Sequence, residues 1–346
     1  MAKKKNKKHS KKKNNKKKLK KKKIYRYNKN SKSVSNKKKK LANNKKKYKN
    51  KNSSVLKSTN STKEDNVKKR SIKNIISNVV TISFLFIFIG IFCFSLSKII
   101  IWNLDNNNYK EIEKEILNDI NIMEMNSSVE ATNTIMVNEP KNGLDVYWKY
   151  KDVPLIDVDL AKLKQENKDT IGWIQVNGTN INYPIVQSNN NDYYLNHSFD
   201  KSFNISGWIF MDYRNDINNL TTNNIIYGHR RYNASMFGSL KNVLNKDWLN
   251  NTENHIIKIS TDKYNYLFQV FSVYSVPNES YYIQTEFESD NLHTEFLNTI
   301  IKRSIHNFNT EVNLDTKILT LSTCHGDSDR LAVHAKLIKI NQKISD

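Results

Sequence analysis

Four textures of apolar and polar residues follow one another along this chain. Residues 1–73 are almost wholly polar, dominated by Lys and Asn. From Ile75 to Trp102 the run IISNVVTISFLFIFIGIFCFSLSKIIIW carries no charge until Lys98, and about 20 apolar residues are enough to cross a bilayer core. Residues 103–142 are polar and acidic, with Ile112, Ile116, Ile120 and Met123 marking only a narrow helical stripe. This stretch reads as a stalk, with a small coiled-coil contact as the alternative. From GLDVYWKY onward, short apolar runs alternate with turn residues and predict one folded domain over residues 143–346, large enough for a sound core. A fragment starting near Asn142 is expected to fold alone.

Within that domain, DVDLAKLKQENKD predicts a helix capped by Asp157 or Asp159, with Leu160 and Leu163 inward. TIGWIQVNGTNINYPIVQ reads as two strands around an Asn-Gly turn. SGWIFMDY, NNIIYGH, HIIKIST and YNYLFQVFSVYSV follow as strands, with a short helix in SMFGSLKNVL. A second helix, Ser289 to Ser304, is expected to turn Leu292, Phe296, Leu297 and Ile300 inward. KILTLSTC and RLAVHAKLIKI close the chain as two strands joined by the tight loop HGDSD. The fold class is therefore mainly β. About eight strands with few helices fit a closed barrel, which leaves no edge to aggregate.

Charge sharpens the division. Residues 1–73 hold 33 of the 57 Lys/Arg and 2 of the 33 Asp/Glu, so a chain of net charge +24 is about −7 outside its tail. Such a tail cannot bury enough apolar surface to offset chain entropy and is expected to be disordered. Its Lys/Arg excess predicts a cytosolic N-terminus, an uncleaved anchor over 75–102 and an extracellular remainder. Attraction to anionic lipid or loose contact with nucleic acid are other uses for it. Nucleic acid is not an expected partner of the folded domain.

The chain has two cysteines, Cys93 in the apolar run and Cys324 beyond it, which the anchor reading separates, so no intrachain disulfide is expected. A lone thiol outside the cell suggests a reactive group. Cys324 ends a strand in which Ile318, Thr320 and Ser322 share its face. Arg330 opens the next strand, where it would steady an oxyanion, or alternatively pair with Asp327 or Asp329 on the surface. Eight histidines compete as base. His229 leads by a modest margin: it ends the apolar strand NNIIYGH beside Gly228 and opens the basic loop RRYN. His325 is expected on the face opposite Cys324, His334 inside a strand, and His197 in a loop; His9 lies in the tail, and His255, His293 and His306 have no other chemical residues nearby. HxH, HExxH and CxxC spacings are absent from the outer part, and neither a metal nor a cofactor is expected.

TLSTC with Arg at the start of an AVHAKL strand, together with NNIIYGH, DTIGWIQVNGTNINYPIVQ, NDYYLNHSF and IFMDYRN, resembles the sortases of Gram-positive bacteria, and most closely class B, from about Leu155 to Ile340. The resemblance implies a sortase β-barrel with an N-terminal helical segment and a helix before the Cys-bearing strand. It also implies a cysteine transpeptidase that cleaves an NPxTN-like C-terminal sorting signal of exported proteins through a thioacyl-enzyme and passes them to a peptidoglycan amine. Motif by motif, it puts catalytic roles on His229, Cys324 and Arg330, helped by the backbone N–H of His325. It puts substrate-binding roles on Asn196, Tyr227 and Ser322. HGDSD is shorter than the class B connection. Two rival readings are a membrane-tethered cysteine peptidase or amidase with water as acceptor, and a non-enzymatic surface module with Cys324 buried.

Overall fold

The computed structural model describes residues 61–125, 133–141, 143, 145–277, 279–324 and 329–344. The Lys-rich tail up to residue 60, with His9, and the loop residues His325 to Ser328 lie outside the described residues. The chain divides after Gly90 into two units, and the second, Ile91–Asp346, holds all of the β-structure among the described residues. Helix α1 (Ser61–Asp119) exposes its large apolar side chains from Ile72 through Leu104. It is the one helix among the described residues that is long and apolar enough to cross a membrane.

The remaining elements are β1 (Ile122–Glu124), β2 (Thr134–Met136), β3 (Ile156–Val158), α2 (Ala161–Glu166), β4 (Thr170–Val176), β5 (Asn182–Val186), β6 (Phe210–Met211), β7 (Asn223–His229), α3 (Lys246–Asn250), β8 (Ile256–Thr261), β9 (Tyr264–Pro277), α4 (Asp290–Arg303), β10 (Ile318–Cys324) and β11 (Asp329–Gln342). Eight strands run in the order β10-β7-β6-β5-β4-β8-β9-β11, and antiparallel pairing of β11 with β10 closes them into a barrel. Closure satisfies the backbone groups that an open sheet would leave at its edges. β5–β6 and β7–β10 are the parallel pairs. β2 adds to the outer side of β11, and β1 pairs with β3.

The eight-stranded barrel and both end strands agree with the sequence pattern, with several local differences. SGWIFMDY forms only the two-residue β6, and SMFGSLKNVL forms a 3-10 helix, Gly238–Leu244. In α4, Ser289 caps the first turn by accepting from the Leu292 N–H, and Lys302 and Arg303 sit at the C-terminal end, where the helix dipole favours cations. Its buried face is His293, Phe296, Leu297 and Ile300, whereas Leu292 is exposed. β7 and β8 are buried along almost their whole length because both faces are covered. Leu319, Leu321 and Val333 belong to the main core, while Ile318 and Ala332 pack with Tyr274, Tyr282, Phe296 and Ile300 beneath α4.

The expected stalk is not separate from the domain. Tyr109, Ile112 and Ile116 of α1 are buried in the main core, and residues 122–124 and 134–136 contribute strands. Polar contacts reinforce the docking. Tyr109 donates to the Tyr183 hydroxyl at 2.8 Å, which donates in turn to Glu113 at 2.7 Å, and Asp119 pairs with Lys162 at 2.6 Å.

Candidate active site

His229 and Cys324 end two neighbouring strands that run parallel, and their Cα atoms are register partners, the last pair of the β7–β10 ladder. On the other side of β10 the antiparallel ladder to β11 ends at Ser322↔Ala332; two residues further along lie Cys324 on one strand and Arg330 on the other. Three residues more than ninety positions apart in sequence at the extremes are thus ends of adjacent strands at one rim of the barrel. Arg330 is half-buried and pairs in register with Val276 of β9.

Local packing fixes the imidazole. His229 Nε2 lies 2.7 Å from the Leu195 carbonyl oxygen; a carbonyl only accepts, so Nε2 carries the proton. Leu195 is brought there by the 3-10 turn Tyr193–Leu195, and the following segment folds back with Gly207 at φ +56°. A Cβ at Gly207 would stand 2.5 Å from the Tyr194 oxygen and 2.9 Å from His229 Cδ2, so the approach requires glycine. At Gly228 the ring of Phe237 occupies the space a side chain would need, and the Phe237 N–H donates to the His229 carbonyl.

Thr323, one residue before Cys324, is buried and its hydroxyl accepts from the N–H of Leu331, one residue after Arg330, at 2.9 Å. That bond holds the β10 and β11 ends together beyond their ladder. A second set of bonds links the strands of His229 and Cys324 from outside. Tyr227 donates to Asp212 at 2.9 Å, Arg214 grips the same carboxylate through Nε and Nη2, and Arg214 also donates to the Ile283 carbonyl at 2.9 Å. Next to Ile283, the Tyr282 hydroxyl is 3.0 Å from that of Ser322. Burial pushes the Asp212 carboxyl up, but bonds from Arg214, its backbone N–H and Tyr227 outweigh that, and the group titrates below its ordinary range.

Asn196 is exposed in the loop after Leu195. Tyr227 and Ser322 are buried, the first on Asp212 and the second on Tyr282. The other described histidines serve packing. His334 is fully buried between Thr320 and Tyr274, at 2.8 and 2.9 Å, and desolvation pushes it down to about 3. His197 stacks on Tyr193 with ring centroids 4.0 Å apart, and His293 stacks on Phe287 at 4.7 Å. His255 and His306 bond to the carbonyls of Leu249 and Val243. Sequence reasoning assigned no role to Gly207, and it showed Thr323, Asp212 and Arg214 only as members of the motifs TLSTC and IFMDYRN. Gly207 was marked by scarcity, as one of 8 glycines in a chain of 346 residues.

A family model described as the sortase domain matches residues 174–338. Sortase B of Staphylococcus aureus is 38% identical over 184 residues, covering 52% of this chain and 74% of its own length. Sortase B of Listeria monocytogenes is 36% identical over 184 residues, with the same shares of 52% and 74%. Among solved structures, a Staphylococcus aureus sortase B–substrate complex is 37% identical, with 51% of this chain and 83% of that chain covered at a TM-score of 0.49.

Proposed function

The chain belongs to the class B sortases, cysteine transpeptidases that anchor surface proteins, and from that premise we propose how this one works, with Cys324 as nucleophile, His229 as proton carrier and Arg330 as oxyanion partner. The observation that carries the assignment is the register pairing of Cys324 with His229 on adjacent parallel strands, with Arg330 just beyond the ladder on the other side. A thiol attacks as thiolate, which a neighbouring imidazolium stabilises. The Cys324 thiolate adds to the Thr carbonyl of an NPxTN-like sorting signal, and the oxyanion that forms is met by Arg330, whose guanidinium stays charged. As the tetrahedral intermediate collapses, the C–N bond breaks and His229 gives its proton to the leaving amine. The thioacyl bond to Cys324 is then attacked by an amine of a peptidoglycan precursor, His229 takes that amine's proton, and the new amide leaves a free thiolate. With Nε2–H engaged by Leu195, Nδ1 is the nitrogen that exchanges the proton.

Asn196, exposed beside the His229 anchor, fits a contact to the signal peptide. Tyr227 and Ser322 are buried and contribute by stiffening the ends of β7 and β10 through Asp212 and Tyr282. The apolar run of α1 serves as a single-pass anchor, its Lys-rich flank in the cytosol and the barrel outside.

Mass spectrometry of the protein with an NPxTN-type peptide, with and without an added amine, tests the reading. A thioacyl adduct that Cys324→Ala abolishes, and that becomes an amine-linked product, is the expected result. A free acid as the sole product in the presence of amine would make the enzyme a peptidase. Arg330→Ala is expected to nearly abolish turnover and Arg330→Lys to rescue little, because Lys lacks the planar fork; wild-type rates in Arg330→Ala would remove Arg330 from the mechanism.

A further inference from the structure

The contacts of α1 with the barrel form a ladder along the helix. Asp119 meets Lys162, Glu113 and Tyr109 meet Tyr183, and the Asn106 side chain accepts from Arg231 and Asn233 at 3.3 and 2.9 Å. The Asp105 carbonyl accepts from Asn204 at 3.2 Å, and Trp102 lines a pocket with Ile205, Ser206, Tyr232 and His229. Trp102, Asn106, Tyr109 and Glu113 recur at helical spacing, so they present one face to the domain. From Asp119 to Trp102 is about 26 Å of helix at 1.5 Å per residue. The loops 203–206 and 230–233, with His229 between them, are therefore the end of the barrel nearest Trp102.

That end has the composition of a bilayer interface. Tyr232 is 97% exposed, Phe203 65%, Ile205 48% and Trp102 48%, and Arg230 and Arg231 stand among them. Amphipathic aromatic rings settle at headgroup depth, and Arg pairs with lipid phosphates. Trp102 lies just past Lys98, where the uncharged run ends, so side chains sharing its pocket share its depth.

We propose that loops 203–206 and 230–233 seat on an anionic phospholipid surface, with Phe203, Ile205 and Tyr232 in the headgroup layer. The His229 side of the active site then opens at the membrane surface and not into bulk solvent. This rests on the reading of α1 as a membrane span.

The test uses the full chain in phosphatidylglycerol-containing nanodiscs, in a Cys93→Ser, Cys324→Ala background. A fluorophore is attached through Tyr232→Cys, Phe203→Cys, Asp262→Cys at the opposite end, or Phe88→Cys within the apolar run. Lipids with a nitroxide headgroup report contact by quenching. Loss of most of the emission at 232 and 203, with emission at 262 retained, is the expected result. Emission at 232 and 203 retained like that at 262, while lipids carrying the nitroxide on the acyl chain quench 88, would overturn the seating and leave the span intact. No quenching at 88 by either lipid would overturn the span and the seating with it.

Discussion

Removing residues 1–142 probes how far the catalytic domain extends. The cut takes away Tyr109, Ile112 and Ile116, all buried in the main core. Burying one large apolar side chain is worth about 1.5–3 kcal/mol, so the three together supply about 5–9 kcal/mol. A domain's whole stability is about 5–15 kcal/mol. The cut also deletes β1 and β2, freeing the edges of β3 and β11, and strips Tyr183 of its bonds to Tyr109 and Glu113. Urea titrations of fragments 103–346 and 143–346, followed by tryptophan fluorescence, measure the difference. With a slope of about 1–3 kcal/mol per molar urea, the shorter fragment is expected to melt at least ~2 M lower, or to aggregate before titration. Tyr109→Ala in the longer fragment separates the docked helix from the lost strands and is expected to cost about 3 kcal/mol or more, as large core truncations do. Equal midpoints for the two fragments would show that the docked helix and the two added strands contribute nothing to stability, and residues 103–142 would then be a stalk.

Gly207→Ala is expected to lower turnover together with stability, because a left-handed backbone costs a non-glycine residue about 1–2 kcal/mol and the methyl group meets the Tyr194 carbonyl and the His229 ring; wild-type kcat in a stably folded variant would show that this approach does not position His229. Thr323→Val keeps the shape but orphans the buried Leu331 N–H, at a cost of about 1–3 kcal/mol; since the bond joins the neighbours of Cys324 and Arg330, kcat is expected to fall more than the peptide KM rises, and an unchanged kcat would argue against it. His334 is neutral in the fold down to pH about 3, whereas in the unfolded chain it charges below about 6.5. The unfolded state therefore binds the extra proton between those values, and stability falls with acidification by about 1.4 kcal/mol per pH unit. Urea midpoints at pH 7 and 5 should show a shallower dependence in His334→Gln than in wild type, and identical slopes would refute the assignment.

The strands of the barrel were legible because period-two apolar runs bounded by turn residues leave little choice of element. Cys324 was visible as chemistry at a predicted strand end, with Arg330 opening the next strand and His229 ahead of the other histidines by a modest margin. The docking of α1 was not legible. Asn106, Tyr109 and Glu113 hold it through hydrogen bonds, and polar partners leave no mark on a hydrophobic pattern, which therefore registered only a thin stripe of isoleucines. Leu292 and His293 exchanged places for a similar reason: the imidazole buries by stacking on Phe287, a contact no periodicity encodes. Nor does sequence spacing announce that β7 and β10 lie side by side. The parallel pairing depends on barrel closure, and with it comes every distance at the site.

That pairing bears on when the chain can first react. β10 finds its two neighbours in β7, almost a hundred residues earlier, and in β11, the last strand. Contacts so distant along the chain form late, after local hairpins such as β4–β5. On the mechanism proposed above, the strand end that carries Cys324 lies beside both the His229 strand and the Arg330 strand only after β11 docks, and before that a thiol is a weak, mostly protonated nucleophile. On that mechanism the barrel is a safety catch on its own chemistry: an unfinished molecule is expected to be inert, with reactivity arriving together with the completed fold.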